Sequence, residues 1–396
     1  MKKTAITLFF LLQAACLFSQ IPRPEYPRPQ FERTDWINLN GEWTYTFDFG
    51  ASGLERGYAG SKGFDGKIIV PFAPESKLSG VGHTDFIGRI WYQRTIDIPA
   101  DWSGRNVMLN FGAVYYTSEV YVDGRFVGRH FGGSTSFSYD ITAFVKPGGS
   151  HSLVVFATSD LRSGKQTAGK QSLQYASHSC DYTRTTGIWQ TVWLESVPEA
   201  YIEKLNIENH GASVTISTVP PLEGTVSVEQ LGQFPLENGR VTIAPENPRF
   251  WCPDDPYLYR FTVETAQDKV ESYFAIRSLE IKKVGGYPRL CLNGKPYFIH
   301  GLLDQGYWPE GLLTAPAPES YADDILAMKR LGFNTLRKHI KVEPEEFYYQ
   351  CDRLGMIVWQ DMVNNGSYRY FRDTVLPTVG IQKRNDRRLH RDERSR

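Results

Sequence analysis

The chain has 396 residues, with 44 Lys plus Arg against 44 Asp plus Glu, a formal net charge of zero, and 14% aromatic residues. That length exceeds one ordinary core and implies two or three domains. A neutral balance provides no global field for phosphate and argues against nucleic-acid binding, while the aromatic load suits β-rich domains and proteins that stack sugars on rings.

The chain opens MKKTAITLFFLLQAACLFSQ, with Lys2 and Lys3 ahead of an apolar run from Ala5 to Leu12. This reads as a signal peptide over residues 1–20, too short and wrongly flanked for a membrane span, and implies a secreted or periplasmic protein. Cleavage fits after Ser19. Alternatively Cys16, after Ala14-Ala15, carries a lipid, although Gln13 stands where a lipobox takes Leu. No other apolar run is long enough to cross a bilayer. The Pro-rich IPRPEYPRPQ that follows reads as an extended arm rather than a partner motif. Cys180, Cys252, Cys291 and Cys351 are scattered, with no C-x-x-C pair and no His at zinc-ligand spacing, so neither a disulfide framework nor a zinc site is indicated.

Residues 21–197 have the grammar of a β-sandwich of jelly-roll type. RIWYQRTIDIP, NVMLNF, EVYVDGRFVG, HSLVVFAT and GIWQTVWLES each read as a strand, and Asp123-Gly124 as a two-residue hairpin turn. Residues 198–283 repeat that grammar on a smaller scale. NIENHGASVTISTV, GTVSVEQL, GRVTIAP, YRFTVET and VESYFAIRSLEI give a β-sandwich of immunoglobulin-like size.

Over residues 284–396 the pattern changes to mixed α/β. RLCLNGKPYFIHG contains a hairpin around Asn293-Gly294. YFIHGLLD, NTLRKHI and MIVWQDM read as strands separated by two helices, ESYADDILAMKRLG and EPEEFYYQCDRLG, ended by Gly332 and Gly355. In the first helix Ile325, Met328, Lys329 and Leu331 make a partial apolar stripe that Tyr321 extends. Strands alternating with such helices imply right-handed βαβ units and a parallel sheet. Three units fit the opening of a TIM barrel; a closed (β/α)8 barrel takes about 250 residues and about 110 are present, so an incomplete barrel is expected.

Chemistry in such a barrel gathers where the strands end. Asp304, Arg337, His339 and Asp361 lie at or near strand ends, and Arg337 and His339 share parity along NTLRKHI. An Arg, a His and two carboxylates on one rim suit a polyhydroxylated ligand. The plainer reading is that each makes a rim ion pair or caps the next helix. No G-x-S-x-G, H-E-x-x-H, P-loop or Rossmann glycine fingerprint is present, which leaves nucleophilic serine, zinc and dinucleotide chemistry without local support.

The order of parts resembles glycoside hydrolase family 2, which includes β-galactosidases, β-glucuronidases and β-mannosidases. The resemblance runs from about Phe31 to the C-terminus. LNGEWTYTFD resembles the family's opening strand, and WYQRTIDIP with FGAVYYTSEVYVDGRFVGRHFGG its sugar-binding domain. DYTRTTGIWQTVWLE resembles the D-x-x-R-x-x-G-I-[FW]-R segment that ends that domain, and FWCPDDPYLY a W-x-P-x-x-P-x-L-Y run. LNGKPYFIHG, DILAMKRLGFNTLR and CDRLGMIVWQDM resemble the first three barrel units.

The resemblance implies retaining hydrolysis of terminal β-glycosidic bonds by two glutamates, one of them in an Asn-Glu pair at the fourth barrel strand. The sequence contains no Asn-Glu pair, so both catalytic residues are expected to be missing and the polypeptide inactive alone. The resemblance further implies substrate binding by Asp181, in DYTR, and by Arg337 and Asp361. His339 is displaced, because R-K-H stands where β-galactosidases have R-x-S-H. The plainer role of Asp181 is to stabilise a turn. No cofactor is implied, and the Na⁺ or Mg²⁺ sites of some members are assigned to no residue here.

KRNDRRLHRDERSR resembles the charged entry to the next barrel helix, with Asp386, Asp392 and Glu393 diluting it as a phosphate ligand. Two other readings stay open. In one, the sandwich is a carbohydrate-binding or scaffold module, with aromatics of GAVYYTSEVYV and RIWYQR stacked on sugars. In the other, the last third exposes strand edges and aggregates.

Overall fold

A computed structural model describes residues 21–163 and 166–363. The expected leader with Cys16 and the basic segment Lys383 to Arg396 lie outside the described residues.

The first sandwich pairs a four-stranded with a six-stranded sheet. In the larger sheet Arg89–Asp97 and Ser150–Thr158 are central, paired antiparallel over nine residues. Strand alternation decides which side chains enter the core. Ile90, Tyr92 and Ile96 face the smaller sheet, whereas Trp91 faces outward against Tyr121 and Val154 and donates its indole N–H to Asp48 at 3.1 Å. The Asp123-Gly124 turn forms as expected, with φ of 49° and 78° that close the Val122–Arg125 pair.

GIWQTVWLES is not one strand. Gly187–Ile188 pairs with Val114–Tyr115, while Val192–Val197 joins the four-stranded sheet. The break follows from Asn40, whose side chain accepts from the Val192 amide and donates to Thr191, and from Trp189, which turns in to reach the Gly133 carbonyl. The aromatics proposed to stack sugars are core residues. Trp91, Tyr92, Tyr115, Tyr116 and Tyr121 are all buried.

The second sandwich stacks sheets of three and four strands around Val226, Phe261, Val263 and Phe274. VESYFAIRSLEI also divides. Lys269–Phe274 stays in this sandwich, whereas Leu279–Val284 pairs with Tyr287–Leu292 in a separate antiparallel sheet that crosses the 283/284 boundary.

The Pro-rich segment is a tie between the parts. Arg23 donates to the Ala317 carbonyl at 2.9 Å, Arg28 and Tyr26 bind Glu195 in the first sandwich, and Arg33 pairs with Asp268 in the second. Each buried charge meets an opposite charge or a carbonyl, as burial demands.

The last described part holds three parallel strands, Gly301–Asp304, Thr335–Lys338 and Ile357–Gln360, with helices Ser320–Arg330 and Glu345–Leu354 between them. Leu302, Leu336 and Val358 pack against Tyr321, Ile325 and Phe347 of the helices. Pro344 stands just before the first residue of the second helix, and Gly355, at φ 77°, ends it. Lys329 leaves its expected stripe and donates to the carbonyls of Leu354 and Gly355 at 2.7 and 3.0 Å, a cation satisfying the second helix's C-terminus. Leu331 falls beyond the last turn and is exposed. The four cysteines among the described residues are free thiols, Cys291 and Cys351 buried and Cys180 and Cys252 half-buried.

Candidate active site

Period-two alternation along the parallel strands sorts the rim residues into two sets. Leu303, Arg337 and Trp359 form one cross-strand row on the face away from the helices, all three exposed. Asp361 continues this parity beyond the third strand. It forms a two-point ion pair with Arg337, whose Nε donates to Oδ1 at 3.1 Å and whose Nη2 lies 3.0 Å from Oδ2. Only the Nε–Oδ1 contact has hydrogen-bond geometry among the described residues; the second is a close charge contact.

His339 follows the same parity just past the strand, held by its backbone N–H, which donates to the Asp304 carbonyl at 2.8 Å. Its Nδ1 is buried without a hydrogen-bond partner among the described residues. Burial pushes the imidazole below its ordinary value, and the positive charge of Lys170 pushes it further. Asp361 opposes the shift, and Arg337 adds slightly to it. The ring is therefore neutral at pH 7, able to accept or donate without adding charge.

Asp304 departs from the expected cluster. It shares parity with Lys338, its register partner, and both turn toward the helix layer. Oδ2 accepts from the Lys338 ammonium at 2.6 Å and Oδ1 from the Gly306 amide at 2.9 Å. Lys338 is 1% exposed, also binds Glu343 at 2.9 Å, and lies 4.1 Å from the Phe347 ring centroid. Glu343 further pairs with Lys341, whose ammonium also meets the carbonyls of Gly306 and Leu313. Burial alone would raise the Glu343 carboxyl, but Lys338 and Lys341 outweigh it and hold the acid below its ordinary value. Asp304 thus belongs to a buried ionic framework beneath the rim.

Asp181 comes from the first sandwich. The loop of residues 166–186 lies against the β/α part, with the Tyr182 ring 4.6 Å from that of Tyr307 at a tilt of 34° and the Ile340 carbonyl only 3.2 Å from where a Cβ on Gly169 would sit. Gly169 has φ 59°, so both backbone shape and close approach require glycine. Asp181 exchanges backbone hydrogen bonds with His178, at 2.9 and 3.0 Å, and its carboxylate stands 3.8 Å from the His178 ring. Burial first, then electrostatic effects of Tyr115, Glu75 and Asp181, push the Tyr307 hydroxyl well above its ordinary value. Among the described residues no hydrogen bond links Asp181 to Arg337, His339 or Asp361.

The same loop contributes a residue that pattern reasoning missed. Lys170 is 2% exposed, its ammonium has no hydrogen-bond partner among the described residues, and it acts on His339. The rim thus holds the Arg337–Asp361 pair and neutral His339, with Lys170 acting on it from another domain and Asp181 turned to His178 in the same loop. Such a set can orient hydroxyls and anions on a sugar. Two carboxyls poised for general acid and nucleophile are not among its members.

Fold and rim together define a modular, mainly β protein with two sandwiches, whose β/α part carries a polar rim. Residues 81–198 match the model described as "Glycosyl hydrolases family 2, sugar binding domain", and residues 199–277 the model "Glycosyl hydrolases family 2". Related sequences include a β-galactosidase of Thermoanaerobacter pseudethanolicus, 24% identical over 83% of this chain and 46% of that protein, and a β-glucuronidase of Felis catus, 25% identical over 84% and 58%. In structure, the β-glucuronidase of Faecalibacterium prausnitzii superimposes with a TM-score of 0.70 at 22% identity, covering 85% of this chain and 61% of that one. The chain belongs to glycoside hydrolase family 2. It spans about half the length of the curated relatives it matches.

Proposed function

We propose that the chain forms the substrate-binding part of a secreted, β-galactosidase-like retaining β-glycosidase acting on terminal sugars. The observation that carries this reading is the Arg337–Asp361 pair beside neutral His339 at the ends of parallel strands, overhung by the Asp181 loop. Arg337 donates to sugar hydroxyls, Asp361 accepts from them, and His339 does either without a net charge.

Retaining hydrolysis needs two carboxyls about 5–5.5 Å apart, one protonating the leaving oxygen and one attacking the anomeric carbon. The 396 residues include no Asn-Glu pair. We therefore expect this polypeptide to bind a glycoside and not cleave it. Export through residues 1–20 is part of the same reading. Calorimetric titration with nitrophenyl β-galactoside and β-glucuronide tests it, because Arg337→Ala and Asp361→Ala should each abolish binding. Undiminished binding in both variants would remove the rim from the substrate site.

A second reading, a non-catalytic carbohydrate-binding protein, is favoured by a cavity at the end of the first sandwich.

A further inference from the structure

The six-stranded sheet of the first sandwich ends in a row of four residues, Arg89, Thr158, Thr117 and Phe131, in register across four strands. Beside this row lies a cavity of about 660 Å³, walled by Phe86, Asp160, Arg162 and Arg184. Small-molecule sites commonly fall in the range of about 300–1,000 Å³.

Its lining is rich in guanidinium groups. Arg89, Arg162 and Arg184 line it with the carboxylate of Asp160, while Glu75 and Asp85 act on Arg184, and Asp48 on Arg89, from outside the lining. The guanidinium carbons of Arg162 and Arg184 stand 3.6 and 4.0 Å from the Phe86 ring centroid. Arg184 is 1% exposed. Its two terminal nitrogens serve carbonyls, those of Ser172 and Gln174 and those of Thr84 and Tyr175, while its Nε is buried without a partner among the described residues. The Nε left without a partner, with the second guanidinium of Arg162 near it, offers a place for an anion.

We propose that this cavity binds a saccharide bearing an anionic group, carboxylate or sulfate, with the anion against Arg162 and the Nε of Arg184. The threonine hydroxyls of the strand row and the Asp160 carboxylate meet sugar hydroxyls, and Phe131 meets the apolar face of the ring. The site lies in the first sandwich and does not depend on glycoside cleavage.

The test is calorimetry on the full chain with a glucuronate-containing disaccharide, a sulfated galactose disaccharide, a neutral disaccharide and inorganic sulfate. Saturable binding of an acidic disaccharide is expected, with the neutral one at least about tenfold weaker, and the tighter acidic ligand identifies the anion. Phe86→Ala and Arg162→Gln should each weaken binding by about tenfold, roughly the contribution of one charge-assisted bond. Arg162 is exposed, so an unchanged melting curve for that variant separates lost binding from lost folding. Equal affinity for the neutral disaccharide, sulfate binding as tight as the saccharide, or insensitivity to both substitutions overturns the proposal. So does loss of binding on Arg337→Ala with Arg162→Gln unaffected, which would place the ligand at the barrel rim.

Discussion

Glu75 offers a quantitative test of how the first sandwich meets the β/α part. It is 3% exposed, and one carboxylate oxygen accepts from the Thr186 amide at 3.1 Å. Burial pushes its carboxyl from 4.5 up to about 8, against smaller opposing effects of Thr186 and Arg184. Between those two values the folded protein keeps the proton and the unfolded chain has released it. The folded state therefore binds more protons, and stability falls as pH rises through that window. Each pH unit is worth about 1.36 kcal/mol, so the group should remove about 2.7 kcal/mol between pH 5 and pH 7. Glu75→Gln abolishes the titration while keeping the shape. Urea unfolding of both proteins at both pH values isolates the effect, because any cost of the substitution itself cancels in the double difference. The variant should gain about 2–3 kcal/mol on wild type between pH 5 and pH 7. Parallel pH dependences, agreeing within about 0.5 kcal/mol, would show that Glu75 is hydrated or ion-paired and that the junction is looser than the structure shows.

Two further outcomes probe the rim and its foundation. In an NMR titration the His339 ring should titrate below the ordinary imidazole value, move up in Lys170→Met and move further down in Asp361→Asn, since Lys170 lowers it and Asp361 raises it. A His339 titration blind to Lys170→Met would show that the 166–186 loop does not lie on the rim. Lys338→Met removes a buried cation from Asp304 and Glu343 and should destabilise the protein by about 3–5 kcal/mol, read from the urea midpoint of the transition that carries the β/α part. A loss under about 1 kcal/mol would mean that the framework is dispensable.

Local rules were legible in the sequence wherever one or two residues decide the geometry. Asp123-Gly124 and Asn293-Gly294 take the positive φ their turns require, and Gly332 and Gly355 end the helices. Strand parity likewise placed Arg337 and His339 on one face. Decisions made at a distance were not legible. Asp304 pairs with Lys338 because of the register between two parallel strands, which neither segment encodes alone. The run K-H-I-K-V-E at Lys338–Glu343 offered a signal, alternating charges just past a strand end, that a search for rim residues passes over. Lys170 had no local signal, since its role arises from a loop of one domain meeting another. The split of GIWQTVWLES depended on Asn40, about 150 residues earlier in the chain. Aromatic content misled in the same way. Alternation showed that rings such as Tyr92 and Tyr121 sit in strands, but only packing of the second sheet and the covering loops showed that they are buried.

The central proposal is that the Arg337–Asp361 rim holds a glycoside and that this polypeptide does not cleave it. Incubation of the purified chain with nitrophenyl β-galactoside and β-glucuronide, followed by absorbance and by calorimetry, tests this most directly. The expected result is no nitrophenol above a buffer blank, with saturable binding of one glycoside that Asp361→Ala abolishes. Turnover above the blank that survives Asp361→Ala would contradict it.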